Sequence, residues 1–329
     1  MEMPAALPDF TTRILLHLWK RCTVTVDALS IAAGATTAQT LQSVDMLQRL
    51  GCVIERTPSG LEIHSVGLSC WRDILENASA ARRGALGRSV HIYKQTGSTN
   101  DLALHALVDD ARRGLVVIAD EQTAGRGRRG HSWLAKRGQS ILLSVLVPAQ
   151  TGQEDRLTLI TGLVVAETLE LFGISSVQIK WPNDLLIAGQ KIAGVLVESR
   201  PAHTVIGLGI NVAQSTADFP PELRAQATSV YLASGQVVDR LRIIEALIAA
   251  LEKKCTADAL ADPRWLEGWK GRCPMLGQTL TAFVSDAQGK AHPVTGQVLN
   301  VDPLKGLLLR DETGAMVWLS AKTTALSPR

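Results

Sequence analysis

Residues 125–130 read GRGRRG and follow the apolar run LVVIAD at 115–120. Glycines at the first, third and sixth places satisfy G-x-G-x-x-G, the dinucleotide-binding pattern of a parallel doubly wound sheet. That pattern requires a helix immediately afterwards, so that free N–H groups at its N-terminus meet a pyrophosphate. HSWLAKRGQS, residues 131–140, has no apolar stripe at helical spacing and contains another glycine. The doubly wound reading therefore fails, and no G-x-x-x-x-G-K-[ST] occurs elsewhere. What remains is a loop bearing three guanidiniums, whose planar forks suit carboxylate or phosphate oxygens while the glycines allow close backbone approach. Its plain alternative is a solvated turn. A loop of this composition is expected to order when its ligand arrives.

On either side of the loop, apolar strands VHIYK (90–94), LVVIAD, SILLSVLV (140–147), VQIKW (177–181), DLLIA (184–188), KIAGVLVES (191–199) and TVIGLGINV (204–212) alternate with helical segments near 100–110, 156–172 and 239–254. Several strands follow one another without a helix between them. The sheet is therefore expected to be mixed or antiparallel, within an α+β domain beginning near residue 90. From about 275, short strands separated by DAQG, DPLKG and DETG turns predict a small β-barrel.

Before residue 66, helical spacing over TTRILLHLWK, a short second helix after Asp27 and a third from Thr36 or Thr37 to Gly51 precede two strands, CVIER and LEIHS. Three helices and a hairpin is the order of a winged helix-turn-helix, whose third helix enters a major groove. Charge points the other way. Residues 1–66 hold five basic and six acidic side chains, net −1, and Arg49 is the third helix's one base, so phosphate neutralisation would be weak. A partner-binding module is the alternative. Residues 67–89 read as a linker with one helical stretch.

Across 329 residues the net charge is +3, which implies no nucleic-acid footprint by itself. The five cysteines (22, 52, 70, 255, 273) form no metal-spaced pair and suit a reducing compartment. No leader-like N-terminus or bilayer-length apolar run is present, so a cytoplasmic, non-membrane protein is expected.

Further polar signals sit at strand and helix ends. GSTND offers Ser98 or Thr99 as a helix N-cap. In KWPNDLL, Pro182 breaks the strand, and Asn183 and Asp184 present an amide and a carboxylate at a turn. Lys191 opens the next strand close to that turn, where a snorkelling surface lysine is the ordinary reading. Gly207 and Gly209 lie inside a strand, where glycine implies a bulge or a close ligand, and Asn211 ends it.

Taken in order, GSTN, EQTAGRGRRG, KWPNDL, KIAGVLVE and GLGINV, with the N-terminal helices and hairpin and the terminal β-module, resemble the bifunctional biotin-protein ligase and biotin operon repressor family. The resemblance implies a winged helix-turn-helix over 1–66, a linker over 67–89, a mixed-sheet catalytic domain of the biotin/lipoate ligase type over 90–272 and an SH3-like β-barrel over 273–329. It implies formation of biotinyl-5′-adenylate from biotin and ATP with Mg2+, then transfer of biotin to a lysine of the biotin carboxyl carrier protein. Ser98, Thr99, Asn100, Gln122, Gly207 and Gly209 would bind biotin. Arg126, Arg128 and Lys191 would be catalytic and meet its carboxylate and the adenylate phosphate. Asn183, Asp184, Asn211 and Trp133 would serve the adenylate, with no protein metal site assigned. His131 and Ser132 depart from the basic residues frequent after this loop. A homodimer and a DNA operator belong to the same expectation. A lipoate-protein ligase and a corepressor-binding regulator without ligase activity are the competing readings.

Overall fold

The computed structural model describes residues 7–21, 23–106, 114–148, 152–201, 203–286 and 288–326. Three helices come first: α1 (Asp9–Lys20), α2 (Val26–Ala33) and α3 (Thr37–Arg49). Thr25, rather than Asp27, caps α2, its hydroxyl accepting from Ala28 N at 3.2 Å, while Asp27 sits in the first turn. Gly34, at φ +65°, ends that helix in a left-handed conformation. A reciprocal capping box between Thr36 and Gln39 starts α3. The antiparallel hairpin β1 (Val53–Thr57) and β2 (Gly60–Ser65) follows.

Helix α4 (Trp71–Arg82) occupies the expected linker and buries Trp71, Ile74 and Leu75. It is packed rather than free because its apolar face lies against neighbouring elements, including β3 and α8. A second clasp joins the N-terminal helices to the same α8. The Arg242 guanidinium stands 3.7 Å over the Trp19 ring and donates to Trp19 O at 2.8 Å, where α1 presents unsatisfied carbonyls. The Trp19 indole N–H reaches Glu245 Oε2 at 3.0 Å.

The central sheet is built from β3 (Ser89–Tyr93), β4 (Leu115–Ala119), β5 (Ser140–Pro148), β6 (Gln178–Lys180), β7 (Asp184–Ile187), β8 (Gln190–Ser199) and β9 (His203–Asn211), in the order 3-4-5-9-8-7-6. Only β3 and β4 of these neighbours run parallel, so the sheet is mixed, as strand succession implies. Helix α5 (Thr99–His105) lies against β4, β5 and β9; the remainder of the helix expected near 100–110 reaches beyond the described residues. Helices α6 (Glu154–Leu171), α7 (Val230–Ser234), α8 (Arg240–Lys254), α9 (Ala257–Ala261) and α10 (Arg264–Lys270) complete this part, with α6 packing on β8 and α8.

The terminal strands β10 (Thr279–Ser285), β11 (Ala291–Asp302), β12 (Gly306–Asp311), β13 (Met316–Leu319) and β14 (Thr324–Leu326) form an antiparallel sheet in the order 13-12-11-10-14. One apolar core runs from the N-terminal helices through α4, α6 and α8 into this sheet. On the opposite face of the central sheet, a smaller cluster of Ala103, Leu115, Val117, Leu146 and Val205 lies under α5. The functional cleft opens beside it.

Candidate functional site

Side chains alternate across a strand, so Leu146 and Val205, which touch α5, set which residues share their face. Two steps along β5 comes Ser144, and along β9 come Gly207 and Gly209. Ser144 pairs with Gly207, and Gly209 pairs with Gly194 of β8. The missing side chains leave a trough in the sheet. Into it comes the N-terminus of α5, where Ser98 is the N-cap and Ser98, Thr99 and Asn100 are all buried. A Cβ on Gly207 would overlap Asn100 Oδ1, so glycine is required for this approach.

The trough is lined by neutral hydrogen-bonding groups that orient one another. Gln122 Oε1 accepts from Thr99 N at 2.7 Å and from the Thr99 hydroxyl at 2.9 Å. The Ser144 hydroxyl donates towards Asn100 Oδ1 at 2.6 Å and lies 2.7 Å from Thr99 Oγ1. Asn100 Nδ2 donates to Glu198 Oε2 at 2.7 Å. A cleft of about 660 Å3 lies against these groups.

The loop over this cleft folds as a narrow hairpin. Arg126 and Ser132 bridge, Gly127 N donates to His131 O at 2.6 Å, and His131 N reaches Arg128 O at 3.2 Å. Its tip, Arg129 at φ 56° and Gly130 at φ 75°, has the two left-handed residues of a type I′ turn. At its base, Arg126 forms a bidentate pair with Asp101 at 2.7 and 2.8 Å and stands 3.4 Å from both Glu198 oxygens. At its tip, Arg128 donates to Ala321 O at 2.6 Å and Arg129 to Lys322 O at 3.4 Å, both between β13 and β14. The pair with Asp101 raises the Arg126 pKa, whereas burial pushes that of Arg128 down. The loop is thus a strap with contacts to protein groups at its base and its tip. Trp133 closes it, its indole lying flat on Gly209 and Gly194.

A second cleft, also about 660 Å3, adjoins the first and is lined by Lys136, Asn211, Gln214, Phe219 and Leu223 among others. Lys191, Asp184 and Trp133 border both. The Lys191 ammonium is 2.5 Å from Asp184 Oδ1 and 5.5 Å from the Trp133 ring. Its backbone is fixed too: Lys191 N donates to Gln226 O at 2.7 Å, and Thr228 N to Lys191 O at 2.9 Å. Asn211 Nδ2 holds Thr228 O at 3.0 Å, and Gln214 Nε2 meets Asn211 Oδ1 at 3.2 Å and Ser140 Oγ at 2.5 Å. Asn183 follows the cis peptide between Trp181 and Pro182, and its Nδ2 is bonded to Val195 O at 3.0 Å. Among the described residues, no group of three or more His, Cys, Asp or Glu could hold a metal.

All thirteen residues singled out in the sequence line this pair of clefts or brace it. Asn183 and Asn211 spend amide hydrogens on protein carbonyls, and Arg126 and Arg128 are engaged by protein groups. Ser144, Asp101, Glu198 and Gln214 were not assigned from sequence. Ser144 had a signal, a lone hydroxyl inside the apolar strand SILLSVLV. The other three are polar residues at element ends, indistinguishable from solvated ones until the chain is folded.

Residues 92–211 match the biotin/lipoate A/B protein ligase family. The chain is 33% identical over 245 residues to a biotin-[acetyl-CoA-carboxylase] ligase of Mycobacterium tuberculosis, covering 72% of this chain and 89% of that protein. It is 38% identical over 173 residues to a bifunctional ligase/repressor BirA of Bacillus spizizenii, covering 50% of this chain; here the chain spans about half of the relative, 53%. The structure of an Aquifex aeolicus biotin protein ligase in complex with biotin and ATP superposes with a TM-score of 0.62 at 25% identity, covering 74% of this chain and all of that one. With the two joined clefts, the arginine strap and the lysine between them, these similarities make the chain a member of the biotin-protein ligase family.

Proposed function

We propose that the protein is an ATP-dependent biotin-protein ligase acting on the biotin carboxyl carrier protein. The observation that carries this reading is Lys191, the cation at the boundary of a neutral hydrogen-bonding trough and a second cleft of similar size. A biotin carboxylate and an ATP α-phosphate brought together there repel, and a fixed ammonium between them lowers that repulsion. A carboxylate oxygen forms a bond to the α-phosphorus, the bond to the bridging oxygen breaks, and pyrophosphate leaves. The ε-amine of the carrier lysine then attacks the acyl carbon, AMP departs and the amine loses a proton. Serine or cysteine nucleophiles are not needed.

Biotin is favoured over lipoate by the chemistry of the trough. A ureido ring offers two N–H donors and a carbonyl, matching Thr99, Asn100, Gln122 and Ser144. A dithiolane offers neither and would gain no hydrogen bond from them. ATP would occupy the second cleft beside Trp133, Asn183, Asp184 and Asn211, with Arg128 near the adenylate phosphate. Magnesium, for which the described residues form no cage, would arrive on the triphosphate, with Asp184 the nearby carboxylate.

We read residues 1–66 as a winged helix-turn-helix, 67–89 as a packed connector, 90–272 as the catalytic domain and 273–329 as an SH3-like barrel. The helix-hairpin order and the five-stranded terminal sheet support this. Incubation with ATP, a carrier domain and either biotin or lipoate tests the function, the carrier being weighed by mass spectrometry. A biotin-sized increase on one lysine is expected. A lipoyl adduct, or an unmodified carrier, would refute it.

A further inference from the structure

Two thiols that the ligase chemistry leaves unused meet where the N-terminal hairpin joins the connector. Cys52 lies between α3 and β1, and Cys70 is the N-cap residue of α4. Their sulfurs are 3.9 Å apart, and both side chains are buried. We propose that Cys52 and Cys70 are a disulfide-forming pair, oxidised by hydrogen peroxide, whose bond staples the β1–β2 hairpin to the connector helix. The proposal goes beyond the ligase reading and does not rest on it.

Three observations combine. The first is close backbone approach, since a Cβ on Gly67 would overlap Leu50 O and one on Gly51 would stand 3.5 Å from Gly67 Cα. The second is that both backbones are fixed. Cys52 N donates to Leu47 O at 3.0 Å, Cys70 N to Gly67 O at 2.9 Å, and Ser69 Oγ to Leu50 O at 3.2 Å. A disulfide needs sulfurs about 2.05 Å apart, so they must approach by only about 1.9 Å. The third is that the two sulfurs differ. The hydrogen bond between them, helped by Gly67 N donating to Cys52 Sγ at 3.4 Å, holds the Cys52 thiol below its ordinary range against burial. The same bond and burial push the Cys70 thiol up. Cys52 is therefore the nucleophile and Cys70 the resolving thiol. Cys70 makes no side-chain cap bond on α4, so the helix loses no cap when it reacts.

The Cys52 thiolate attacks a peroxide oxygen, the O–O bond breaks to leave a sulfenic acid, and the departing hydroxide takes up a proton to become water. The Cys70 sulfur then attacks the Cys52 sulfur, the S–O bond breaks, and a second water carries off the Cys70 proton. Two electrons pass from the two thiols to the peroxide.

Buried cysteines ordinarily serve as small apolar packing, and that role competes with this one. To separate them, the full chain is treated with hydrogen peroxide under native conditions, unfolded in iodoacetamide and digested with trypsin without reduction. Cleavage after Arg49, Arg56 and Arg72 places Cys52 in peptide 50–56 and Cys70 in peptide 57–72. The two peptides should appear joined and lacking two hydrogens, with Cys255 and Cys273 alkylated. Because the bond closes a loop around the whole hairpin, exchange of its amide hydrogens should slow about tenfold to a hundredfold and recover with dithiothreitol. Cys52→Ser should abolish both changes, and Cys255→Ser should leave both in place. Alkylation of both thiols after peroxide, or oxidation of Cys52 to a sulfinic acid without a crosslink, would overturn the proposal. So would a crosslink of either residue to Cys22, Cys255 or Cys273, or a hairpin that exchanges as fast oxidised as reduced.

Discussion

Replacing Gly207 by alanine tests the trough, because the strand geometry at that position tolerates a Cβ and only the neighbour does not. The added methyl would overlap Asn100 Oδ1, and Asn100 is 4% exposed. Its amide must swing away. That forfeits the 2.6 Å bond from Ser144 and the 2.7 Å bond to the Glu198 carboxylate. A neutral bond contributes about 0.5–1.5 kcal/mol and one to a charged group about 1.5–3, so the loss is about 2–4.5 kcal/mol. Alanine recovers about 0.5–1 kcal/mol relative to glycine within a strand, leaving a net destabilisation of about 1–4 kcal/mol. Urea denaturation of the full chain reads this as a lower midpoint with unchanged slope. Biotin affinity, read by calorimetry, should fall in parallel, since the displaced amide belongs to the proposed head seat. In an Asn100→Ala background those bonds are already gone, so Gly207→Ala should add no further loss. A Gly207→Ala protein as stable as wild type, or an equal loss in the Asn100→Ala background, would show that Asn100 is not held against the glycine.

Lys191→Ala should lower adenylate formation about a hundredfold or more with little change in stability, since it deletes a fixed charge from a half-exposed position; pyrophosphate release measures it, and near wild-type rates would reduce Lys191 to a surface residue. Trp19→Ala should cost about 3–5 kcal/mol because the ring is 5% exposed, and Arg242→Ala only about 1 kcal/mol, both read from denaturation curves. The reverse ranking would place the clasp in the guanidinium rather than in ring burial. Residues 1–66, with net charge −1 and α3 exposing Gln42, Asp45, Met46 and Arg49, should bind duplex DNA weakly at physiological salt. Operator binding near 10⁻⁸ M or tighter would mean that self-association supplies what each chain lacks.

Much of the architecture was legible because it depends on local signals. The apolar strands and the lack of helices between several of them gave the mixed sheet, and Thr36 and Gly51 bounded α3 where a cap and a left-handed residue are needed. Gly207 and Gly209 were readable as close-approach positions, but not what approaches, since Asn100 and Trp133 come from segments far away in sequence. The partners of the strap were hidden for the same reason. GRGRRG read alone has flexible glycines and free charges, whereas its contacts are to Asp101, Glu198 and the turn at Ala321 and Lys322, none of which is adjacent to it. The linker reads as one helical stretch among glycines, and Trp71, Ile74 and Leu75 supply the buried face that docks this helix.

The strap's arginines also differ in the field they offer a ligand, which ranks their importance. Arg126 already faces two carboxylates, so little of its charge is left for an incoming anion. Arg128 has a neutral carbonyl as its hydrogen-bond partner, and burial depresses its pKa, so its surroundings do not fully compensate its lost hydration. An adenylate phosphate arriving beside Arg128 would supply that compensation, and a charge-assisted contact there is worth about 1.5–3 kcal/mol. Arg128→Gly should therefore speed escape of the intermediate about tenfold to a hundredfold. Arg126→Gly acts only through the shape of the strap and should do less. Because a mixed anhydride acylates any amine it meets, biotinylation of a bystander protein reports the escape directly. More bystander labelling with Arg126→Gly than with Arg128→Gly would mean that the order of the strap, rather than the charge of Arg128, retains the intermediate.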